Sequence, residues 1–549
     1  MKWSKCCSYP LLTKLLVLVL LGSMLLASIL TLPRKCESPN WLLLSNQLPA
    51  PKSPRTNLSH ESTTPKKPTR SPIAKASSIP PITNPACVSK WQHLMYRKPS
   101  SLVAIPSDLA LALKSYEEMH ARCTQGKNWG ATFYNPRADD PCRYLVYVEG
   151  TAGLGNRLLS LASAFAYALL TDRVLLMDPR GHIPLLLCEP FGSSSWLLPK
   201  DFPIWDMEYG SPKLGEALSA GLNSSRVLLS LRHEQSDGDR QFYCSAVLGK
   251  LDRVPWIGWH SNQYLIPRFF TLPALWPRLL RLFPDVSLAS THLSRYLFLP
   301  NNELWERILR IHWSYFACSG KKVSLQVRLH ARQDTAEFYP PAFSQIMRCL
   351  IGNLILPNVT RLDQHANGRI KPLSVKLSQS RSKAEMAACK MTTSVLVASL
   401  QMKYYEELKG LYMNNPTEDD TFVRVHMATH DGSEVHSLDQ SVKAFTEIWL
   451  LSMGDELATS SWSTFGYVAQ SLGALRPYVM NIRGGFDKES LTPCFVGQSF
   501  DPCNHYPFLG QCEGETPNSE HTQWIETHIK PCQDEGGGIQ LVQKSSSFL

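Results

Sequence analysis

Two short polar stretches carry residue types that bind anions. GLGNR at 153–157 follows the apolar run YLVYVE at 144–149 and opens a long Ala/Leu-rich segment, and SSWSTFG at 460–466 also lies between an apolar run and a helical pattern. A turn that leads from a strand into a helix exposes free backbone N–H groups, and glycine lets a ligand approach the backbone closely. Both stretches therefore predict binding turns. The alternatives are a plain tight turn for the first and an ordinary Ser/Thr helix cap for the second.

The first stretch is not a complete dinucleotide-binding motif, because Leu158 stands where a third glycine belongs. We predict a strand, a glycine turn, a helix over 156–170 and a second strand over 173–178. The residues predicted to contact a ligand are four in this turn and five in the later one: Gly153, Gly155, Asn156, Arg157, Trp462, Ser463, Thr464, Phe465 and Gly466.

Arg328 is predicted to lie inside the strand VSLQVRL at 323–329. A guanidinium in an apolar strand is costly unless it has a fixed partner. Its planar fork of donors suits a diphosphate, where it would stabilise negative charge on a leaving group without a metal. The alternative is a structural arginine that is paired with a buried carboxylate.

A general base is harder to assign from the sequence. His430 and Asp431, in ATHDGSEVH, follow a predicted strand, so either could take a proton or bind a ribose; an ordinary turn aspartate before glycine is the alternative. Lys443 and Glu447 are four residues apart on a predicted helix, which predicts a surface ion pair. No carboxylate stands out as the proton acceptor.

Asp237 and Asp239 form a D-x-D motif, which in some glycosyltransferases clamps a divalent cation against nucleotide phosphates. The motif lies in the polar run RHEQSDGDRQ, with no apolar strand before it to present the two carboxylates. We therefore predict an exposed turn here and no metal site, and keep the metal-dependent reaction as an alternative.

Short apolar runs alternate with helical patterns through the second half of the chain. The predicted strands are 323–329, 395–399, 422–428, 456–460 and 477–482, and the predicted helices are 343–352, 401–411, 442–453 and 464–472. Such alternation is typical of a parallel sheet that is covered on both faces. Together with the unit around GLGNR, it predicts an α/β protein with two Rossmann-like domains that face each other across a cleft.

The basic excess of the chain lies at its N-terminal end. The 549 residues carry a net charge of +10, but residues 1–100 hold fourteen Lys/Arg and two Asp/Glu, so the remainder is slightly acidic and a nucleic-acid partner is not expected. Residues 15–32 contain no charge and are long enough to span a bilayer. We predict a cytosolic tail at 1–14, a signal anchor at 15–32 and an extended, disordered stem at 33–86, which holds eleven prolines. A cleaved signal peptide is the alternative.

Cysteines and sequons agree with a secretory location. Thirteen of the fifteen cysteines follow residue 32, which predicts disulfides and leaves at least one thiol outside intramolecular pairs. Cys503 and His505 could also be imagined as metal ligands, but no C-x-x-C pair supports a zinc site. Predicted glycosylation sites are Asn57, Asn223 and Asn358.

Several separate blocks give the chain a resemblance to the plant cell-wall fucosyltransferases of the xyloglucan, galactoside 2-alpha-L-fucosyltransferase type. The blocks are GLGNR with the helix after it, YRK at 96–98, CEPFGSSSWLLPKDFP at 188–203, SNQYLIPRFF at 261–270, YLFLPNNELW at 296–305 and SSWSTFGYVAQSLG at 460–473. The similarity covers roughly residues 87–549. HARQD at 330–334 departs from the family pattern, so His330 and Asp334 carry less weight.

The resemblance implies a variant of the two-domain glycosyltransferase fold known as GT-B. It also implies inverting transfer of L-fucose from GDP-β-L-fucose to O2 of a terminal galactose, on a cell-wall polysaccharide such as xyloglucan or on a glycoprotein glycan. In this interpretation Arg328 and the turn at 462–466 bind the diphosphate, and no metal cofactor is expected. SNQYLIPRFF is expected to form a strand and turn near the cleft.

The resemblance further implies a single-pass type II protein of the Golgi membrane, with an acceptor-side domain at 87–320 and a donor-binding domain with a Cys-rich tail at 321–549. A homodimer is compatible with the sequence. Besides the metal-dependent transferase, a catalytically silent relative that binds glycans stays open as a second alternative.

Overall fold

The computed structural model describes residues 87–329, 338–360, 386, 388–429, 437–480, 492–510, 512, 518–534 and 536–543. All of them belong to one compact unit, Pro81–Leu549. The predicted tail, membrane span and stem at 1–86 lie outside the described residues, as do Asn57, His430 and Asp431. Within the described part, no helix has the length and apolarity needed to cross a bilayer.

Twelve strands are described, and they form three sheets. In chain order they are β1 Tyr144–Tyr147, β2 Val174–Met177, β3 Arg226–Leu231, β4 Trp256–Ser261, β5 Lys321–Val327, β6 Thr392–Ser399, β7 Phe422–Met427, β8 Glu456–Ser460, β9 Tyr478–Met480, β10 Phe495–Val496, β11 Ile529–Pro531 and β12 Ile539–Leu541. The first sheet has the order β2-β1-β4-β3 and is parallel throughout. The second has the order β10-β9-β8-β5-β6-β7 and is parallel except for β10. The third is the antiparallel pair of β11 and β12.

The described α-helices are numbered here from the first one in the compact unit. They are α1 Ser89–Gln92, α2 Ser107–Thr124, α3 Trp129–Tyr134, α4 Leu154–Leu170, α5 Ile183–Leu186, α6 Ile204–Glu208, α7 Leu214–Ser219, α8 Asp237–Arg240, α9 Ser245–Leu251, α10 Ile266–Phe269, α11 Trp276–Leu282, α12 Ala289–Leu297, α13 Asn302–Tyr315, α14 Pro340–Gly352, α15 Met402–Asn414, α16 Leu438–Leu451, α17 Thr464–Gly473 and α18 Ser519–His528.

The first sheet is built around β1 and helix α4. All four residues of β1 are buried, as expected for a short apolar strand between two parallel neighbours. Every residue of α4 except Asn156 is buried too, because its Ala/Leu-rich surface packs on the sheet on one side and on α12, α16 and α17 on others. The predicted strand–turn–helix–strand unit is confirmed, although the helix begins at Leu154, two residues earlier than predicted.

The alternating elements of the second sheet are also confirmed, with boundaries within four residues of the predicted ones. One difference bears on the site. Strand β5 ends at Val327, so Arg328 lies just beyond the carboxyl end of the strand and not inside it. The cost of burying a guanidinium in an apolar strand therefore does not arise here.

The described part of the last fifty residues, here called the C-terminal tail, returns to the elements of the first sheet. Cys512 is disulfide-bonded to Cys244, 268 residues earlier, and Arg268 Nε donates to the carbonyl oxygen of Phe508 at 2.6 Å. Leu541 in β12 belongs to the same buried cluster as α4. The division of the folded part at residue 320 stays a prediction.

Six disulfides use all twelve cysteines of the described part of the chain. They are Cys87–Cys188, Cys123–Cys142, Cys244–Cys512, Cys318–Cys389, Cys349–Cys494 and Cys503–Cys532. The thirteenth cysteine after residue 32 is Cys36, which lies outside the described residues. This confirms the expectation of disulfides and excludes Cys503 as a thiolate ligand.

Candidate active site

A cavity of about 590 Å³ lies where the carboxyl ends of strands from the first and second sheets meet. In parallel α/β sheets this edge is the usual place for a ligand. The residues that line it follow β1, β3, β4, β5, β6, β7 and β8, with further contributions from α16 and the tail. The lining includes Gly153, Gly155, Asn156, Arg157, His233, Asn262, Gln263, Tyr264, Arg328, Thr429, Lys443, Glu447, Trp462, Ser463, Thr464, Phe465, His505 and Tyr506.

The two binding turns predicted from the sequence touch each other. A Cβ atom on Gly155 would lie 2.7 Å from the backbone carbon of Thr464, so glycine is required here by the approach of α17 to α4. The close approach that we expected from a ligand is thus made by the neighbouring helix. At Gly153 a Cβ would meet nothing within 4 Å, so space does not demand glycine at that position.

The turn before α17 is capped and held from the tail. Ser463 is the N-cap, and its hydroxyl accepts from the backbone N–H of Gly466. Trp462 has a left-handed backbone (φ 59°), which is costly for a bulky residue. The backbone N–H of Trp462 donates to Asp534 Oδ2 at 3.0 Å, and the Tyr467 hydroxyl donates to the same oxygen at 2.5 Å. The carboxylate of Asp534, which sequence reasoning missed, therefore fixes the turn.

Unpaired backbone N–H groups at the start of α17 are suited to binding an anion. The first turn of a helix carries unpaired donors and the positive end of the helix dipole. Ser463 and Thr464 both line the cavity and add hydroxyls that can donate as well as accept. The predicted helix cap and the predicted anion site are therefore compatible in one turn.

Arg328 is positioned by a link between the ends of β5 and β8. Its backbone N–H donates to the hydroxyl of Ser460 at 2.8 Å. Just before them on the two strands, the Thr459 hydroxyl donates to Gln326 Oε1 at 2.7 Å. Since Gly466 packs against Thr459, the same link sets the distance from Arg328 to the start of α17. The side chain of Arg328 is half-buried and lines the cavity.

Arg157 lines the cavity but is held by an internal partner. Its guanidinium forms a buried ion pair with Glu149, whose second oxygen accepts from the backbone N–H of Ile183 at 3.0 Å. The Tyr147 hydroxyl donates to the carbonyl oxygen of Arg157 at 2.7 Å. The charge of Arg157 is thus largely committed to fixing the start of α4.

The surface ion pair that we predicted between Lys443 and Glu447 is wrong. Lys443 pairs instead with Asp439 at 2.6 Å, one turn earlier on α16. Glu447 is buried, lines the cavity, and accepts from the Thr429 hydroxyl at 2.5 Å. Burial raises the pKa of this carboxyl to about 7, against the opposing effect of the Thr429 hydrogen bond. The spacing of four residues was right for a salt bridge, but it did not show which helix face is buried.

The first half of the chain contributes a polar wall to the cavity. Asn262, Gln263 and Tyr264 follow β4, which confirms that this block lies near the cleft; after Ser261, however, it continues as a turn and helix α10. The Tyr264 hydroxyl donates to Asp501 at 2.8 Å, which links this wall to the tail.

Two histidines complete the wall, and neither was predicted as part of it. His233 packs against the ring of Tyr506 with centroids 4.5 Å apart, and His505 Nε2 shares a hydrogen bond of 2.8 Å with the Tyr467 hydroxyl. Only the motif SNQYLIPRFF signalled this side of the site in the sequence. His505 and Tyr506 are distant in sequence from the rest of the wall, and only the tertiary fold of the C-terminal tail brings them to the cavity.

The D-x-D motif does not form a paired clamp. Asp237 and Asp239 begin the short helix α8, not an exposed turn, and neither carboxylate lines the cavity. The side chain of Asp237 is 94% exposed and pairs with Arg240, whereas Asp239 is buried and accepts from the hydroxyl of Ser236. Elsewhere in the described part, the one cluster with ligand spacing is Cys503, Cys532 and Asp534, whose cysteines are bonded to each other.

Comparisons with known proteins place this site in a family. The family profile described as "Xyloglucan fucosyltransferase" matches residues 76–513. The chain belongs to this family. The predicted resemblance is therefore confirmed, and the protein is an enzyme of the fucosyltransferase class.

Individual proteins with similar sequences or structures support the same family assignment. A galactoside 2-alpha-L-fucosyltransferase of Arabidopsis thaliana is 33% identical over 83% of this chain and 80% of its own length. The Pisum sativum protein of the same name is 32% identical over the same shares. A solved structure of an Arabidopsis thaliana FUT1 variant in complex with GDP superposes with a TM-score of 0.72 at 32% identity, covering 84% of this chain and 98% of that one.

Two of the three predicted glycosylation sites lie in the described part, and both are accessible. Asn223 and Asn358 are exposed, and the amide of Asn358 donates to Glu418 at 2.7 Å. Their modification stays a prediction.

Proposed function

We propose that this protein transfers L-fucose from GDP-β-L-fucose to O2 of a terminal galactose, with inversion at the anomeric carbon. The observation that carries the proposal is the single cavity that brings together Arg328, the start of α17 and a polar wall from the first sheet. The names of the relatives support the galactoside acceptor, and the GDP in the related FUT1 structure supports the donor.

The donor diphosphate is assigned to the second-sheet side of the cavity. Arg328 supplies a planar fork of donors. The start of α17 supplies the hydroxyls of Ser463 and Thr464, together with the backbone N–H groups of its first turn that are not bonded to Asp534 or Ser463. As the bond between fucose and phosphate breaks, negative charge grows on the departing GDP, and these groups stabilise it without reorganising. Trp462, Phe465 and Gly466 shape the wall around guanine or fucose in this proposal, which needs no metal cofactor.

The acceptor is assigned to the first-sheet side. Asn156, Asn262 and Gln263 offer amides that recognise sugar hydroxyls, and Tyr264 adds a flat face. A galactosylated cell-wall polysaccharide such as xyloglucan is the acceptor that the family supports, with a glycoprotein glycan as the second choice. Asp431, the base considered from the sequence, lies outside the described residues and stays a prediction.

The two facing sheets support a GT-B-type arrangement of two Rossmann-like domains, in the variant form that the family implies. We further propose a type II Golgi protein with its catalytic part in the lumen, anchored by residues 15–32 behind a stem at 33–86. The six disulfides support an oxidising compartment. A homodimer is retained as part of the proposal.

The test is fucosyl transfer by the full-length protein, produced in a secretory host and solubilised in detergent. GDP-fucose and galactosylated xyloglucan are supplied with EDTA, and the linkage of the product is determined by NMR. We expect an α-1,2-fucoside, and a fall in kcat on the order of 10²–10³ in Arg328→Ala. Arg137→Ala is the control, because that side chain is 78% exposed in a surface ion pair.

Other outcomes separate the alternatives. Activity that EDTA abolishes and Mg²⁺ or Mn²⁺ restores would favour the metal-dependent transferase. Hydrolysis of GDP-fucose without transfer would keep the donor and reject the acceptor. A protein that binds galactosylated glycans but not GDP would be the catalytically silent relative.

A further inference from the structure

Glu447 is the one carboxylate among the described residues that line the cavity. Forming a glycosidic bond with an acceptor hydroxyl releases a proton, and a positioned base speeds such a step. Arg157, Arg328 and Lys443 are cations and cannot take a proton up. His505 is engaged with the Tyr467 hydroxyl, and His233 packs against Tyr506.

We propose that Glu447 is the general base that accepts the proton of the acceptor hydroxyl. The proposal rests on the function proposed above. The hydroxyl oxygen attacks the anomeric carbon of fucose while the bond from that carbon to the phosphate oxygen breaks, and the electron pair of that bond leaves with GDP. The hydroxyl proton passes to the Glu447 carboxylate and from there to water after the product departs.

The carboxylate is held in one orientation. The Thr429 hydroxyl, at the end of β7, donates to its Oε1 at 2.5 Å. The backbone N–H of Thr429 is a second donor to the same carboxylate. The carboxylate lines the cavity, and the acceptor hydroxyl is assigned to its cavity side. Helix α16 is itself fixed by burial of Phe445, Ile448 and Trp449 against the main core, so the base is carried by a rigid element.

The proton affinity of the group suits the role. Desolvation brings the pKa of Glu447 to about 7, close to the pH at which a base is both ionised and strong enough to matter. Besides Glu447, helix α16 carries Asp439 and Lys443, which pair with each other. From neighbouring elements, Arg157 and Arg328 line the same cavity, His182 is hydrogen-bonded to Ser441, and His93 and Arg97 pack against Trp449. The lining residues include no titratable side chain from α13 or α17, which also pack on α16.

The experiment compares Glu447→Gln with the parent in full-length form at saturating GDP-fucose and acceptor. We expect kcat to fall on the order of 10²–10⁴, while the KM for GDP-fucose and the Kd for GDP stay nearly unchanged. The parent should lose kcat on the acid side of a midpoint near pH 7, and this limb should be absent from the variant. Asp239→Asn is the matched control, since it removes a buried carboxylate that does not line the cavity.

If Glu447→Gln folds poorly, a second variant, Thr429→Val, tests the proposal. Thr429→Val removes the hydroxyl donor to the carboxylate and keeps the backbone donor, so the acid limb should move to higher pH with GDP affinity retained. The proposal would be overturned if Glu447→Gln kept the kcat of the parent or kept the acid limb of its pH profile. It would also be overturned if GDP binding fell together with kcat, because that result would indicate a purely structural role. A parent that transfers no fucose would overturn the proposed function as well, and is therefore told apart from failure of the base alone.

Discussion

At the scale of single residues, the cavity contains a cation that the sequence singled out and an acid that it did not. Arg328 was singled out because a guanidinium inside an apolar run is costly unless it has a fixed partner. Ser463 was predictable because a hydroxyl before a helical pattern caps the helix. Glu447 was missed because only tertiary packing decides that its face of α16 turns inward.

The raised pKa of Glu447 predicts a pH-dependent stability difference. The folded state favours the protonated carboxyl, so its contribution to stability is present below the unfolded value near 4.5 and is lost as pH rises through about 7. Glu447→Gln removes this loss. As the pH rises from 4.5 to 8, the difference in free energy of unfolding between Glu447→Gln and the parent should therefore change by about 2–3 kcal/mol in favour of the variant.

Urea unfolding of both proteins at the two pH values measures this difference. Other groups, including Asp501 with its pKa raised to about 8, titrate in both proteins and cancel. An equal change in the two proteins would mean that Glu447 is not buried in the folded state as described.

At the scale of elements, the site depends on the contact between the first turns of α4 and α17. Gly155→Ala would force the backbone of Thr464 away, because the added Cβ atom would lie 2.7 Å from it. We expect a loss of about 1–3 kcal/mol in stability from overpacking, together with weaker GDP binding.

Gly249→Ala is the matched control for that substitution. This glycine also lies inside a helix, α9, but an added Cβ atom would meet nothing within 4 Å. Alanine should therefore stabilise the helix by up to about 1 kcal/mol. Thermal unfolding of the two variants compares them, and equal behaviour would contradict the close approach of α4 and α17.

Most elements were predictable because local pattern decides them. Buried parallel strands read as short Val/Leu runs, and the crossover helices read as longer amphipathic segments. What the pattern could not supply was the contact between Gly155 and Thr464, which are over 300 residues apart. The position of Arg328 beyond β5 was likewise missed, because an apolar run does not mark the residue at which a strand's pairing ends.

At the scale of the whole molecule, the tail closes the site from the opposite end of the chain. Asp534 holds the turn before α17, Asp501 holds Tyr264, and His505 and Tyr506 line the cavity. The sequence predicted disulfides from the number of cysteines, but counting cannot give their pairing. The return of the tail to the first sheet therefore had to come from the structure.

The Cys244–Cys512 bond should contribute more to this closure than a local bond. It joins residues 268 apart, whereas Cys123–Cys142 spans 19. In the chain-entropy view a longer loop gives the larger stabilisation, with about 3 kcal/mol for a short loop and nearer 5 kcal/mol for a long one.

Replacing both Cys244 and Cys512 by serine should lower the Tm and weaken GDP binding. The double Cys123→Ser, Cys142→Ser variant should show a smaller fall in Tm and unchanged GDP binding; the reverse order would contradict this role for the tail.

GDP binding in the presence of EDTA is the measurement that tests the central claim most directly. Isothermal titration calorimetry would compare the parent, Arg328→Ala and Arg137→Ala. We predict that the parent binds GDP without a metal, that Arg137→Ala binds it equally, and that Arg328→Ala binds it about 10- to 100-fold more weakly, as expected for the loss of a charge-assisted hydrogen-bonding group. A parent that binds no GDP, or an Arg328→Ala variant that binds it as tightly as the parent, would contradict the assignment of this cavity to the donor.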